Sequence, residues 1–240
     1  MTRQAALPAL LLLLVLTGCG GREAPDIPDG VQTGQTVSGT VRYAFGNTVG
    51  PQRICDYYLD PGRGVSVFIN YPDYGRSDGD GTAELIRQTA YNGWTMEALA
   101  ERPHTGVTVD YEVTRCDMAY FSVAFLFFYV TQGGAYPSSS EYAVTIDRRT
   151  DEPVRLSGLL DLSGPEDLAR LIPETFTALG NRSDQPSLEE LADLCADSPA
   201  WNEGGGFYLT ENSLCLIVSD GRYDYVLEAP LASLPLLTEP

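Results

Sequence analysis

The stretch VTVDYEVTRCDMAYFSVAFLFFYV, residues 107–130, decides the fold class. Its first part, Val107–Cys116, alternates between apolar and polar residues, which is the period of a strand with one buried face. Its second part, Tyr120–Val130, is almost entirely apolar or aromatic, which predicts a strand buried on both faces. We interpret its aromatic residues as core and not as a ligand site. These residues are Phe121, Phe125, Phe127, Phe128 and Tyr129.

Shorter strands and a few helices are predicted on both sides of this stretch. The strands cover Thr36–Phe45, about Cys55–Leu59, Val65–Asn70, Tyr142–Ile146, Phe207–Leu209, Leu214–Val218 and Tyr225–Leu227. The helices are one capped by Thr82, which Thr95–Arg102 continues, then Pro165–Leu179 and Ser187–Cys195. Ser187 and Glu190 have the spacing of a capping box, and Asp220-Gly221 is typical of a tight turn. The mixture predicts an α+β fold with a mainly antiparallel sheet and two or three helices.

The N-terminus has the features of an export signal. Ala5–Leu16 is an apolar run after Arg3, too short to cross a membrane as a helix but of the size found in signal peptides. The run ends in Leu16-Thr17-Gly18-Cys19, which resembles the lipobox of bacterial lipoproteins. That resemblance implies cleavage after residue 18 and lipid on the Cys19 thiol. We therefore predict a signal peptide at 1–18, a flexible Gly- and Pro-containing tether at 19–34, and a folded part at 35–240.

The predicted lipid on Cys19 places the protein at a membrane. Several acyl chains on one cysteine anchor a protein almost permanently. We expect the folded part to lie on the extracytoplasmic face of the cell membrane or the outer membrane. The sequence leaves open which of the two membranes holds the anchor.

The chain is strongly acidic. All 15 basic residues are arginines, and they stand against 33 carboxylates, which gives a formal charge of −18. Such a surface repels nucleic acid and attracts cationic partners, so we expect no nucleic-acid binding and consider a cationic protein partner. The alternative is that the charge only keeps an exported protein soluble.

Four cysteines remain in the folded part. An even number in an exported chain favours disulfides, and we predict Cys55–Cys116 and Cys195–Cys215, although four cysteines permit three connectivities. A zinc site is the competing interpretation. No CxxC pair exists and His104 is the only histidine, so no metal or other cofactor is predicted.

No catalytic motif is recognisable. A nucleophile activated by histidine would depend on His104, which lies in a predicted loop. Paired carboxylates could still hydrolyse a glycoside, because that reaction needs no histidine. We interpret the acidic loop before the first helix as solvated and not as a calcium site. Its acidic residues are Asp73, Asp78, Asp80 and Glu84.

Several segments resemble a domain of uncharacterised function. It occurs outside the membrane in RsiV-type anti-sigma factors and beside some polysaccharide deacetylases. The similar segments are Phe128–Pro137 (FYVTQGGAYP), Tyr142–Asp147, Leu156–Asp161, Gly206–Thr210 and Leu214–Ile217, and Ile69–Asn92 is similar to the companion domain that usually precedes it. The resemblance implies a companion region at about 35–118 and a second region at about 119–240.

The turn in this resemblance comprises Gly133, Gly134, Ala135, Tyr136 and Pro137. Tyr136 stands where the family usually has histidine. Two glycines permit positive φ and Pro137 fixes the exit of the chain, so a structural corner is favoured over a ligand loop.

RsiV-type members bind lysozyme, a cationic cell-wall hydrolase. The resemblance thus implies a membrane-anchored extracytoplasmic binding protein and not an enzyme, with lysozyme-type hydrolases or another envelope component as ligand. A carboxylate-dependent glycan hydrolase and a structural envelope lipoprotein remain the alternatives.

Overall fold

The computed structural model describes residues 36–43, 52–74, 81–101, 104–131, 138–180, 185–196, 201 and 205–237. The strands are β1 Val37–Tyr43, β2 Arg53–Asp60, β3 Val65–Pro72, β4 His104–Cys116, β5 Tyr120–Thr131, β6 Ser138–Asp147, β7 Glu152–Pro153, β8 Thr177–Leu179, β9 Phe207–Leu209, β10 Ser213–Ser219 and β11 Asp224–Pro230. The helices are α1 Gly81–Tyr91, α2 Met96–Glu101, α3 Leu156–Leu159, α4 Pro165–Thr175 and α5 Leu188–Ala196, with a 3-10 turn at Leu231–Ser233.

A seven-stranded sheet forms the first layer, with the strands side by side in chain order from β1 to β7. Every neighbouring pair is antiparallel except β3 and β4, which are parallel. A parallel pair needs a crossover connection, and α1 and α2 supply it between these two strands. The long hairpin of β4 and β5 lies in the middle of the sheet.

One face of the large sheet packs against α1 and α2. Alternate residues of β3 and β4, such as Ile69 and Val109, are fully buried there with Ile86 of α1 and Leu99 of α2. Phe125 of β5 is also fully buried in this cluster, and burying a phenylalanine side chain contributes about 1.5–3 kcal/mol. The period of two in β4, which the sequence showed, places this apolar set on the helix side.

The second sheet is antiparallel and has the strand order β8, β11, β10, β9. Leu214 and Leu216 of β10 are buried on one face of it. Leu168 and Ile172 of α4 and Leu191 of α5 complete that core. We call the two layers the large sheet and the small sheet.

Buried hydroxyl groups join the small sheet to the large one. Ser122 of β5 and Thr145 of β6 are completely buried, and their hydroxyl oxygens are 2.7 Å apart. The backbone N–H of Leu209 in β9 donates to Ser122 Oγ at 3.2 Å, while the Thr114 hydroxyl donates to the Leu209 carbonyl at 2.8 Å. The β9 strand therefore docks through specific hydrogen bonds on the face of the large sheet opposite α1 and α2.

The predicted fold class, α+β with a mainly antiparallel sheet, is confirmed. The capping box is confirmed too, because Ser187 N–H donates to Glu190 Oε2 at 2.8 Å and Glu190 N–H to Ser187 Oγ at 3.2 Å. The expected tight turn is present, with the N–H groups of Arg222 and Tyr223 donating to Asp220 Oδ1.

Two helix predictions were wrong in detail. Helix α4 ends at Thr175 and not at Leu179, because Thr177–Leu179 pairs with β11 as an added strand. Thr82 does not cap α1, since its buried hydroxyl donates to the Asp151 carbonyl at 2.8 Å.

The structure groups Thr36–Pro240 as one compact unit. The predicted boundary near residue 118 falls in the turn that joins β4 to β5. Among the described helices, none has the length and apolar character that crossing a membrane requires.

Candidate functional site

Two of the sequence-predicted sites lie outside the described residues. These are the lipidation site Cys19 and the turn formed by Gly133, Gly134, Ala135, Tyr136 and Pro137. Both stay predictions.

The predicted disulfide Cys55–Cys116 is not formed, and both residues are free thiols. Cys55 of β2 pairs with Asn70 of β3, whose side-chain amide donates to the Val109 carbonyl of β4 at 2.8 Å. Cys116 lies seven residues after Val109 in β4, which corresponds to about 20 Å along the strand. A disulfide requires Cα atoms within roughly 7 Å, so the sheet register keeps these cysteines apart.

The predicted disulfide Cys195–Cys215 is not formed either. Cys195 of α5 is buried in the small-sheet core, whereas Cys215 lies between Leu214 and Leu216 and so points to the other face of β10. Burial raises the pKa of the Cys195 thiol and of the Cys215 thiol to about 11. These thiols are therefore protonated and unreactive at neutral pH.

The other candidates from the sequence have structural partners or lie partly outside the described residues. Asp73 forms an ion pair with Arg42 at 2.6 Å, and Glu84 accepts a hydrogen bond from Gln88 at 3.0 Å. Asp78 and Asp80 lie outside the described residues. The described residues contain no group of three or more histidine, cysteine or carboxylate side chains arranged to hold a metal.

His104 does not lie in a loop, since it is the first residue of β4. Its backbone pairs with Thr131 of β5. The predicted strand thus begins three residues before Val107.

A buried carboxylate, Asp56 of β2, is the centre of the first polar cluster. Only 5% of Asp56 is exposed. Its Oδ2 accepts hydrogen bonds from the Tyr91 hydroxyl at 2.8 Å, the Tyr71 hydroxyl at 3.1 Å and Arg87 Nε at 3.2 Å. Its Oδ1 accepts one from the Thr40 hydroxyl at 2.7 Å. Four donors satisfy this carboxylate, so nothing in its geometry calls for a further ligand.

The two tyrosines of this cluster are held as neutral donors. Burial, together with the neighbouring Asp56 carboxylate, raises the pKa of both Tyr71 and Tyr91. The Arg87 guanidinium lies 4.9 Å from the centre of the Tyr91 ring and reaches the surface, with 43% of its side chain exposed. We call this set the Asp56 network and regard it as structural.

A groove lies beside α1 and β6. It has a volume of about 390 Å³. Its described lining comes from α1, β6, β7 and the segment before β9, and none of these described lining residues is charged. The lining residues are Leu85, Gln88, Thr89, Asn92, Gly93, Tyr142, Ala143, Val144, Pro153, Gly205 and Gly206. We call it the β6 groove.

The β6 groove runs along the side of β6 that pairs with β7. β7 pairs only with Ile146 and Asp147 of β6, and one further bond joins Val154 N–H to the Thr145 carbonyl at 2.8 Å. No described strand pairs with the earlier residues of β6 on that side. Because N–H and C=O groups point to alternate sides along a strand, those of Ala143, Glu141 and Ser139 face the same way as the Thr145 carbonyl.

Two carboxylates lie at one end of this edge. Glu141 N–H donates to Asp224 Oδ2 at 2.7 Å, so the Asp224 side chain occupies one backbone donor of the edge. Partial desolvation of the Glu141 carboxyl, together with the Asp224 carboxylate, raises the pKa of Glu141. Within the described part of the chain, no arginine forms an ion pair with either residue.

Glycine shapes the opposite wall of the groove. Gly205 and Gly206 have φ values of 89° and 67°, which residues with a side chain rarely adopt. A Cβ atom at Gly205 would lie 3.4 Å from the Ala143 carbonyl oxygen. Gly205 thus allows the chain to pass close to the edge of β6.

Sequence reasoning missed both clusters. A signal for the Asp56 network was available, because Asp56 shares an inward face of β2 with Ile54 and is flanked by Cys55 and Tyr57. Its partners are 15 to 35 residues away and meet only in the folded sheet. The β6 groove had no such signal, since it depends on where Gly205 crosses the strand edge.

Comparison with known proteins gives structural neighbours only. No family model and no curated protein matches the chain. A solved structure of a DUF3298 family protein from Pseudomonas aeruginosa PAO1 is similar, with a TM-score of 0.43, 12% identity, and coverage of 82% of this chain and 90% of that one. A DUF3298 family member from Bacteroides fragilis has a TM-score of 0.46, 14% identity, and coverage of 87% and 96%. At these values the likeness carries no functional information.

Proposed function

We propose that this chain is a lipid-anchored, extracytoplasmic binding protein that recognises a cationic partner, with lysozyme-type cell-wall hydrolases as the first candidates. The observation that carries the proposal is the charge. A chain with 33 carboxylates and only 15 arginines strongly favours cationic partners over anionic ones.

The distribution of ion pairs supports the same proposal. Several described arginines are already paired within the fold, as in Arg53 with Asp110, Arg115 with Asp117 and Arg149 with Asp147. Glu141 and Asp224, in contrast, have no described arginine partner. Carboxylates that have no arginine partner among the described residues are available to a cationic protein.

The anchor is proposed from the lipobox at Leu16–Cys19. Replacing Cys19 with serine removes the thiol that would accept the lipid. Metabolic labelling with a clickable palmitate analogue should label the wild-type chain and leave Cys19→Ser unlabelled. Equal labelling of both chains, or labelling of neither, would reject the anchor.

Binding is tested by capture of lysozyme on the full chain held in detergent micelles. We expect capture at low ionic strength that declines as salt rises toward 1 M, where the Debye length is about 3 Å. A neutral protein of similar size serves as the negative control. Failure to capture lysozyme at any ionic strength would contradict the proposal.

A further inference from the structure

The small sheet has one face that no described helix covers. Its inner face packs on α4 and α5, where Leu216 is 1% exposed and Leu227 is fully buried. Successive side chains of a strand point to opposite faces, so Ile217 and Val226 point away from those helices. We call this second face the outer face of the small sheet.

Three apolar side chains form a row across the outer face. Ile217 of β10 pairs with Val226 of β11, and Val226 pairs with Leu179 of β8, so the three side chains lie side by side. Ile217 and Val226 are half-buried, whereas 44% of Leu179 is exposed. We call these residues the apolar row. An exposed leucine that is continuous with two further apolar side chains is a surface on which another protein can bind.

Carboxylates flank the apolar row. Asp224 and Glu228 lie two residues before and two residues after Val226 in β11, so both belong to the outer face. They are separated by about 13 Å along the strand. Glu141 lies beside Asp224, because its N–H donates to Asp224 Oδ2 at 2.7 Å. The apolar row therefore lies between negative charges.

The strands of the small sheet supply no cation to these carboxylates. β8–β11 contain neither arginine nor lysine. Arg222, in the turn between β10 and β11, lies 4.9 Å from the centre of the Tyr223 ring. Within the described residues, no arginine forms an ion pair with Asp224 or Glu228. A second copy of the chain would bring like charges together on this face, whereas a cationic protein complements them.

We propose that the outer face of the small sheet is the docking surface for the cationic partner. The partner places an apolar side chain on the apolar row and an arginine or lysine beside each of Asp224 and Glu228. Burial of the row contributes affinity, and the flanking charges contribute specificity. The choice of a cationic partner rests on the proposed function; the apolar row itself rests on strand register and exposure.

The apolar contact is tested by lysozyme capture on the full chain in detergent micelles. Leu179→Ser should weaken capture about tenfold, because a leucine contact on the outer face is lost. The matched control is Leu194→Ser, which changes a leucine of similar exposure, 37%, on α5. It should leave capture unchanged, since α5 packs on the inner face.

The charge contacts are tested by Asp224→Asn with Glu228→Gln. Asparagine keeps an oxygen that can accept the Glu141 N–H, so the variant should fold. We expect capture at low ionic strength to weaken about fivefold, since two surface charge contacts are lost. Glu166→Gln with Glu174→Gln removes the same charge from exposed positions on α4 and should change capture much less.

The two kinds of variant should differ in their response to salt. Leu179→Ser should capture lysozyme more weakly than the wild type at every ionic strength. The double charge variant should approach the wild type as salt rises, because screening weakens the contacts that it lacks. Identical capture by the wild type and both variants would overturn this surface and leave the proposed function standing.

A peptide probe separates the surface from the choice of partner. The probe is an alanine-based helical peptide with arginine at positions i and i+8 and leucine at i+4, because eight helical residues span about 12 Å. The control peptide has the same composition, with the leucine moved to the opposite side of the helix. The control should bind at least about fivefold more weakly to the wild-type chain.

The remaining outcomes are distinct. Peptide binding that depends on Leu179 and on the two carboxylates, without lysozyme capture, would support the surface and reject the proposed partner. Failure of both the peptide and lysozyme to bind would reject both proposals. Self-association of the chain that Leu179→Ser abolishes would assign the outer face to a second copy and overturn its role in docking the cationic partner.

Discussion

The large sheet carries two carboxylate sites near opposite edges, and their surroundings differ. Asp56, in β2 beside the edge strand β1, is 5% exposed and accepts hydrogen bonds from four side chains. Glu141 and Asp224, at the β6 edge, share one backbone hydrogen bond and have no described arginine partner. The first site is complete within the fold; in the second, the described residues supply no cation for either carboxylate.

The two sites differ in whether the fold itself compensates the charge of the carboxylate. A buried carboxylate costs free energy unless hydrogen bonds and a cation compensate for its lost hydration. Asp56 receives both from the fold, through Tyr71, Tyr91 and Arg87. Glu141 and Asp224 receive no arginine from the described part of the chain, so we expect an approaching cation to stabilise them. Substitutions should therefore change the free energy of unfolding strongly at Asp56 and weakly at Glu141 and Asp224.

The largest effect is expected from Asp56→Ala. The substitution leaves two tyrosine hydroxyls and one threonine hydroxyl without their acceptor and removes the counter-ion of the half-exposed Arg87. We expect the free energy of unfolding to fall by about 2–4 kcal/mol in urea or guanidinium titrations. Asp60→Ala, in the same strand but at a half-exposed position, should cost less than about 1 kcal/mol. Equal losses of unfolding free energy in the two variants would show that the Asp56 network does not stabilise the fold more than an ordinary half-exposed carboxylate does.

A smaller effect is expected from Tyr91→Phe. Its hydroxyl donates to a buried carboxylate at 2.8 Å, so its removal should cost about 1.5–3 kcal/mol. Tyr142→Phe is the matched control, because the Tyr142 hydroxyl donates at the same distance to a neutral acceptor, the Ala90 carbonyl, and should cost about 0.5–1.5 kcal/mol. The same unfolding titrations measure both. A larger loss for Tyr142→Phe would contradict the assignment of the stronger bond to Asp56.

The sequence predicted local features of this fold well. The alternation in Val107–Cys116 identified the apolar face of β4, and the apolar run Tyr120–Val130 identified the central strand. Of the five aromatic residues predicted as core, Phe121, Phe125 and Phe127 are buried as expected, whereas Phe128 and Tyr129 are half-buried. The capping box at Ser187 and the turn at Asp220 depend on neighbours within a few residues, which is why spacing alone revealed them.

Features that depend on distant contacts were not predictable. The disulfide prediction for Cys55 and Cys116 was wrong because their separation depends on the register of β3 against β4, which cysteine spacing does not encode. Leu179 was placed in a helix because the apolar pattern continued past Thr175; pairing of β8 with β11 outweighed that local pattern. The β6 groove needed the path of Gly205, more than 60 residues away from Ala143 in the sequence.

The smallest effect is the pH dependence contributed by Glu141. Its pKa is raised in the folded protein, so the folded state holds the proton more tightly than the unfolded state does. The resulting linkage makes stability fall as pH rises from the ordinary glutamate pKa through the raised one, and the penalty persists at neutral pH. Glu141→Gln should therefore match the wild type at low pH and become slightly more stable above that range.

Asp147 provides the control of opposite sign. Its hydrogen bonds from Arg149 lower the pKa of Asp147, so its contribution is present at neutral pH and is lost as pH falls through the lowered value. Asp147→Asn should be less stable than the wild type at neutral pH, and the difference should shrink on acidification. Unfolding titrations across the acid range measure both variants. If the two variants deviated from the wild type in the same direction, Glu141 would be compensated by the fold as Asp56 is, and its charge would not be available to a cationic partner.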